Sequence, residues 1–314
     1  MDDPTIVSAY GGGRWRPRTT PLSDELGTHW AACGVSSEVA PLRAVLLHRP
    51  GNEVGGIEDP DAALMLDRLD PARAAAQHDA IAAAYRRAGV TVHLVDPPCT
   101  PSPNQMFVAD LFFMTPEGAI VGRPASIVRA GEERWVARRL ADLGVPILRT
   151  VRGRGTFEGA DAAWLDRETV LVARGLRTND DGAGQVASAL SDLGVRTILV
   201  DLPLGTMHLM GQLRLVDGDL AFIWQRRISH RAVSALEERG FTVRAFPDET
   251  EARSGFAHNF VTLGPRRILM PANCPRSQRS YEDAGIQCET VAVDELVKAA
   301  GGIGCLTGVV ARWT

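Results

Sequence analysis

The sequence predicts a closed α/β domain made by repeating one strand–strand–helix–strand unit around a common centre. Three observations predict it. Four segments align without gaps: 107–115, 158–166, 208–216 and 256–264. Their anchor residues Asp110, Asp161, Gly211 and Asn259 lie 51, 50 and 48 residues apart. Cys305 follows 46 residues after Asn259, in Gly301-Gly-Ile-Gly-Cys305-Leu-Thr-Gly308, where a fifth unit would present its own anchor. Glu158 and His208 stand at one repeat position, three residues before their anchors. Pseudo-symmetry therefore brings a carboxylate, an imidazole and a thiol to one centre, which is an enzyme-site pattern.

The elements can be read in order. Residues 1–38, with Gly11-Gly-Gly13 and Arg14-Trp-Arg-Pro-Arg18, read as an N-terminal arm, and residues 39–314 as a single domain. Leu42–His48 is a buried apolar strand stopped by Arg49-Pro-Gly51. An alanine-rich stretch over 60–89 carries apolar residues at helical spacing and ends at Gly89, a C-cap. Thr91–Val95 returns as a strand before Pro97-Pro98. From there each unit has two strands joined by a turn, then a helix: 131–143, 184–193, 230–239 and 277–284. A glycine signal follows each helix (Gly144, Gly194, Gly240, Gly285) and leads into another strand. The strands around Val45 and Val309 would complete one unit jointly and clasp the two ends of the chain.

Composition narrows the function classes. Of 314 residues, 45% are apolar and 23% charged, ordinary for a globular protein with a sizeable core. A net charge of −4 leaves no basic stripe for nucleic acid. No apolar run is long enough to span a bilayer, and the start has no secretory pattern. Five cysteines without close pairing suggest free thiols in a reducing cytoplasm. Histidines and cysteines do not fall in metal-ligand spacing, and no phosphate loop follows a strand, so neither metal nor cofactor is expected.

These segments carry a family resemblance: Ser37-Glu38, Leu46-Leu-His-Arg-Pro-Gly51, Asp110, Phe157-Glu-Gly-Ala-Asp161, Arg177-Thr-Asn179, His208-Leu and Gly301–Thr307. In this order and at these distances the chain resembles the guanidino-group modifying, or pentein, superfamily. That superfamily holds arginine deiminases, dimethylarginine dimethylaminohydrolases, arginine dihydrolases and amidinotransferases, and the match runs over about residues 38–312. The resemblance implies a five-bladed α/β propeller with a central active site. It also implies a cofactor-free hydrolase acting on a small guanidino compound. Two departures bear on the substrate: many deiminases carry Arg where this chain has Ala109, and a second Asp where it has Met210.

Cys305 is then the expected nucleophile, attacking the central guanidinium carbon, and its flanking glycines would let the backbone approach a ligand. His208 is the expected general acid and base, oriented by Glu158. Asp110 either grips the substrate cation bidentately or forms a turn before the apolar run 111–114. Asp161 shares the repeat position but also suits the 157–161 turn. Asn104 and Asn259 would line the centre or serve as loop residues. Arg177 resembles the family arginine that binds a substrate α-carboxylate, with Arg129 a second candidate. Met210 is expected to face the reacting group, and Ser37, Glu38 and Glu53 to contribute a lid. An amidinotransferase would use the same triad, and a non-catalytic binding propeller or RNA-associated relative is the reading from another class. Self-association stays open.

Overall fold

The computed structural model describes residues 16–313. Among them fifteen strands form five three-stranded sheets. β1 (Leu42–Leu47) pairs in parallel with β2 (Thr91–Leu94). β3 (Phe112–Thr115), β4 (Gly118–Val121) and β5 (Ile147–Thr150) form the next sheet. β6 (Ala162–Asp166), β7 (Thr169–Arg174) and β8 (Arg196–Asp201) follow. β9 (Leu213–Asp217), β10 (Leu220–Ile223) and β11 (Thr242–Ala245) form the fourth. The fifth holds β12 (Val261–Gly264), β13 (Arg267–Pro271) and β14 (Gln287–Val291).

In each of these the central strand has one antiparallel and one parallel neighbour. The antiparallel step is a tight hairpin, whereas the parallel step needs a crossover, and a helix supplies it. β15 (Gly308–Arg312) completes the first sheet by pairing antiparallel with β1, Val45 opposite Val309. The chain ends are thus joined in one blade, as the sequence implies, and the five sheets are the blades of the α/β propeller.

The crossover helices explain their own boundaries. Asp70 caps the helix Pro71–Arg87, its side chain accepting from the Ala72 and Arg73 N–H groups, and Pro71 occupies the first turn. The helix therefore begins eleven residues later than the expected start at 60, because proline suits only the first turn. Residues 60–69 are turns and irregular chain instead. Asn179 caps the helix Asp180–Asp192 in the same way, which starts it earlier than the expected 184. A short helix, Glu249–Ser254, was not expected; Asp248 caps it.

The tightly packed blades share cores, as where Trp164 is fully buried against Phe113 with ring centroids 5.8 Å apart. The described part of the N-terminal arm, 16–38, is docked. Gly34 N–H donates to Val310 O and Arg312 N–H to Gly34 O, lengthening the β15 edge, while Cys33 and Val35 are buried. The remainder of the expected arm, including Gly11-Gly-Gly13 and Arg14, lies outside the described residues.

At the inner end of each blade the chain makes one tight turn before the first strand. Val108–Asp110, Gly159–Asp161 and Leu209–Gly211 are single 3-10 turns, and Ile303–Leu306 is a single helical turn carrying Cys305. The anchors Asp110, Asp161 and Gly211 thus each end a tight turn, as does Asn259, whose N–H donates to Phe256 O at 2.8 Å, while Cys305 lies within its own. That placement builds the site.

Candidate active site

Glu158 and His208, from neighbouring turns, meet in the centre: His208 Nε2–H donates to Glu158 Oε2 at 2.7 Å. Both are buried. The other Glu158 oxygen accepts from the Ala125 N–H at 3.1 Å, and Arg177 Nη1 lies 3.4 Å from both oxygens. Burial works against the carboxylate, yet His208, Arg129 and Arg177 hold Glu158 well below the usual carboxyl range. Burial likewise opposes the imidazolium, but Asp110, Asp161 and Glu158 outweigh it and raise the His208 pKa. His208 is therefore charged near neutral pH, with Nδ1 the ring nitrogen left for a substrate.

These opposite shifts carry a stability prediction. Glu158, with its pKa depressed on folding, contributes stability above its ordinary value of 4.5, lost as pH falls through the folded value. His208, with its pKa raised, contributes fully below its ordinary 6.5, and this is lost as pH rises through the folded value. The stability gap between the native chain and His208→Ala should be widest between those two ordinary values and shrink at higher pH. Urea unfolding from pH 5 to pH 9 checks this; a gap that grows towards pH 9 would contradict it.

Asp110 is buried with one oxygen committed and one not. Oδ2 accepts from Arg129 Nη1 at 2.6 Å, whereas Oδ1 has no hydrogen-bond partner and lies 3.8 Å from His208 Nε2. An unpaired buried carboxylate oxygen is costly unless a cation completes it. Arg129 itself is spent: Nε donates to Glu132 at 2.9 Å and Nη1 to Asp110. Arg129 therefore corrects the expectation of a carboxylate fork; it lines the pocket but serves to hold Asp110. Among the described residues Arg177 makes polar contact with Glu158 alone, so most of its fork remains available.

Cys305 is cradled by Asn259. Asn259 Nδ2 donates to Cys305 Sγ at 3.0 Å, while Asn259 Oδ1 accepts from the Cys305 N–H at 3.1 Å. Tyr85 is fully buried and bonds the Thr307 hydroxyl at 2.8 Å, fixing the same turn from behind. Burial, then Asp110, push the thiol pKa up, against the pull of the Gly302 backbone, Asn259 and the half-buried Arg214. The flanking glycines have a packing reason of their own, and Gly301 also lines the pocket. A Cβ at 301 would run into Phe107, one at 302 would come 2.9 Å from Asn259, and one at 304 would strike Arg214.

A narrow pocket joins these groups, with Asn104, Asp110, Arg129, Arg177, His208 and Cys305 in its wall. Two expectations fail here. Asp161 does not line it: its oxygens accept from the Leu209 N–H at 3.0 Å and the Thr178 hydroxyl at 2.7 Å, so it orients the His208 turn. Met210 stands outside this wall and lines a second cavity that also touches His208 and Cys305. Glu38 accepts from the Trp164 N–H at 3.0 Å, Ser37 caps Val39 and Ala40, and Glu53 holds the Gly51 N–H, so none of them covers the pocket. Leu64 and Ala300, at its mouth, were missed. Both have left-handed backbone, φ 61° and 68°, which sequence does not betray at a leucine or an alanine.

Asp110, Glu158 and His208 also place one ligand atom each within 4.8 Å of the others, close enough to hold a metal ion. The donors are already engaged, since His208 bonds Glu158 and Arg129 Nη1 sits 2.6 Å from Asp110 and 3.5 Å from Glu158. A guanidinium in that position opposes a dication.

A family model described as "N,N dimethylarginine dimethylhydrolase, eukaryotic" matches residues 68–309. The chain belongs to this family. The dimethylarginine dimethylaminohydrolase of Streptomyces coelicolor is 27% identical over 268 residues, 85% of this chain and 96% of the relative. That of Pseudomonas aeruginosa is 26% identical, covering 77% and 90%. The solved Pseudomonas enzyme, a cysteine-to-serine variant with citrulline bound, superposes at a TM-score of 0.71 over 87% of this chain and all of that one, at 23% identity. The amidinotransferase SxtG of Microseira wollei superposes at 0.72 over 90% and 98%, at 14% identity. These two likenesses show the shared fold. No described helix is long and apolar enough to cross a membrane.

Proposed function

We propose that this chain is a cysteine-dependent hydrolase of a guanidino C–N bond in an arginine-like small molecule, acting through a covalent adduct on Cys305. The observation that carries the reading is the half-paired Asp110 carboxylate in one pocket with Cys305 and the His208–Glu158 pair. Asp110 Oδ1 is placed to accept a guanidinium N–H, and Arg177 to hold a substrate carboxylate. The bound cation lowers the thiol pKa that burial raises, so the thiol releases its proton to solvent and the thiolate forms when substrate is present.

Its sulfur attacks the central carbon, and His208 Nδ1–H gives its proton to the departing amine nitrogen as the C–N bond breaks. Neutral His208 then takes a proton from water, whose oxygen adds to the same carbon. The S–C bond breaks and a ureido product leaves. Glu158 keeps the ring oriented and favours its charged form throughout.

An amidinotransferase would hand the same adduct to a second amine, and a chamber open beside Cys305 is the observation favouring that reading. The five cysteines are all unpaired, which supports a reducing cytoplasm. Mass spectrometry of products from arginine, methylarginines, agmatine and guanidino acids, with and without glycine or ornithine, separates the two. A ureido product formed without an acceptor, at a rate unchanged by EDTA, is expected. An absolute need for an acceptor amine would replace hydrolysis by transfer, and loss of activity restored only by metal would overturn the cysteine mechanism.

A further inference from the structure

Cys305 and His208 face two cavities. The first is the pocket of Asp110 and Arg177; the second is a wider, solvent-open chamber of about 380 Å³ that adjoins it at the reacting pair. A dimethylamine leaving group has three heavy atoms and needs on the order of 100 Å³, at about 30 Å³ for each water-sized group. The chamber is far larger than that.

Its wall is also chemically distinct. Trp224, Phe256 and His258 give an aromatic surface, and Arg227 and Arg253 the charge, with no Asp or Glu among its lining residues. The Arg227 guanidinium stacks 4.4 Å from the Trp224 ring centroid and that of Arg253 lies 5.7 Å from the same ring. Stacking holds a guanidinium by its face and leaves its N–H edge for an anion. Arg253 is loosely paired with Glu249 at 3.9 Å, whereas Arg227 pairs with no carboxylate among the described residues. Gln212, one turn after His208, is buried and lines the chamber, and its Oε1 has no hydrogen-bond partner. That oxygen suits an amine N–H. Phe256 holds a left-handed backbone, φ 53°, at this wall, a strain that persists where a local shape is over-determined.

We propose that this chamber binds the amine half of the substrate, and that this amine is larger than dimethylamine and carries a carboxylate. The inference rests on the hydrolase reading and deepens it. The substrate is then an arginine-like guanidine substituted on a terminal nitrogen by a carboxyalkyl group. Sulfur–carbon bond formation and C–N cleavage proceed as above. The proton from His208 goes to the substituted nitrogen, and the departing product is an amino acid held by Arg227 and Gln212.

The test compares kcat/KM for three arginines substituted on one terminal guanidino nitrogen: dimethyl, propyl and carboxyethyl. Propyl and carboxyethyl have similar length, so their ratio isolates the carboxylate. The carboxyethyl compound should exceed the propyl one by about tenfold or more, the scale of one charge-assisted hydrogen bond. Release of β-alanine should accompany the ureido product. Arg227→Gln should bring that ratio to near one, and Arg253→Gln should lower it less. Equal rates for the two compounds, or a ratio unchanged in Arg227→Gln with its circular dichroism intact, would overturn the inference while leaving hydrolysis of the dimethyl compound standing. Absence of turnover for all three would instead sink the hydrolase reading and this one with it.

Discussion

Cys305→Ala is expected to abolish turnover, by about 10⁴-fold or more, as removal of a covalent nucleophile does elsewhere. Nothing else near the site can take its place. Among the described cysteines, Cys33 and Cys274 are buried away from the pocket, and burial pushes both thiols up to about 11. The fold should tolerate the change. The sulfur's contacts with Asn259 Nδ2 and the Gly302 backbone are lost, at a cost of about 1 kcal/mol each. The backbone contact from the Cys305 N–H to Asn259 Oδ1 survives. Substrate binding should therefore persist in the variant, and calorimetric titration alongside steady-state rates checks both halves. Turnover within tenfold of the native rate would remove Cys305 from the chemistry.

His208→Ala should follow, at about 10²–10⁴-fold in kcat, since one imidazole supplies both proton transfers. Its effect on stability has two opposing parts. Breaking a buried ion pair costs about 3–5 kcal/mol when the remaining charge is left uncompensated. Here Glu158 keeps Arg177 at 3.4 Å and Arg129 at 3.5 Å, so the loss should fall below that range. Glu158→Gln should cost less activity than His208→Ala, because the ring keeps a hydrogen-bond partner but loses the charge that favours its protonated form. Stopped-flow and steady-state rates across pH 6 to 10 distinguish them. A His208→Ala variant with near-native rates anywhere in that range would contradict the assignment of both proton transfers to this ring.

The geometry also shows what one sequence can and cannot disclose. The repeat anchors were legible because pseudo-symmetry fixes spacing, and spacing survives as a pattern of residues. Asp110, Glu158, His208 and Cys305 could be placed together on that ground alone. Direction within a turn is not encoded by spacing. Met210 lies two residues from His208, yet it lines the second cavity beside the reacting pair and not the Asp110 pocket. Asp161 shares its repeat position with Asp110, but its oxygens are claimed by Leu209 N–H and Thr178, while Asp110 keeps Oδ1 unpaired.

Partners supplied from a distance were equally hidden. Arg129 reaches Asp110 across nineteen residues and Asn259 reaches Cys305 across forty-six, and neither pairing leaves a local signal. The glycines before Cys305 were visible, but their purpose was not. They make room for Phe107, Asn259 and Arg214, none of which adjoins them in sequence. The helix start at Pro71 has a local signal of its own in Asp70-Pro71, a cap followed by proline.

Rapid-quench mass spectrometry of the whole protein during turnover tests the central claim most directly. Mixed with an N-substituted arginine and stopped in acid, the chain should gain the mass of the substrate less its departing amine, and peptide mapping should place that gain on Cys305. The adduct should accumulate less when the pH is raised through the elevated His208 pKa, because neutral His208 cannot protonate the departing amine yet is the form that takes a proton from the attacking water. Product formation with no adduct at any quench time, or an adduct confined to another cysteine, would contradict covalent catalysis by Cys305.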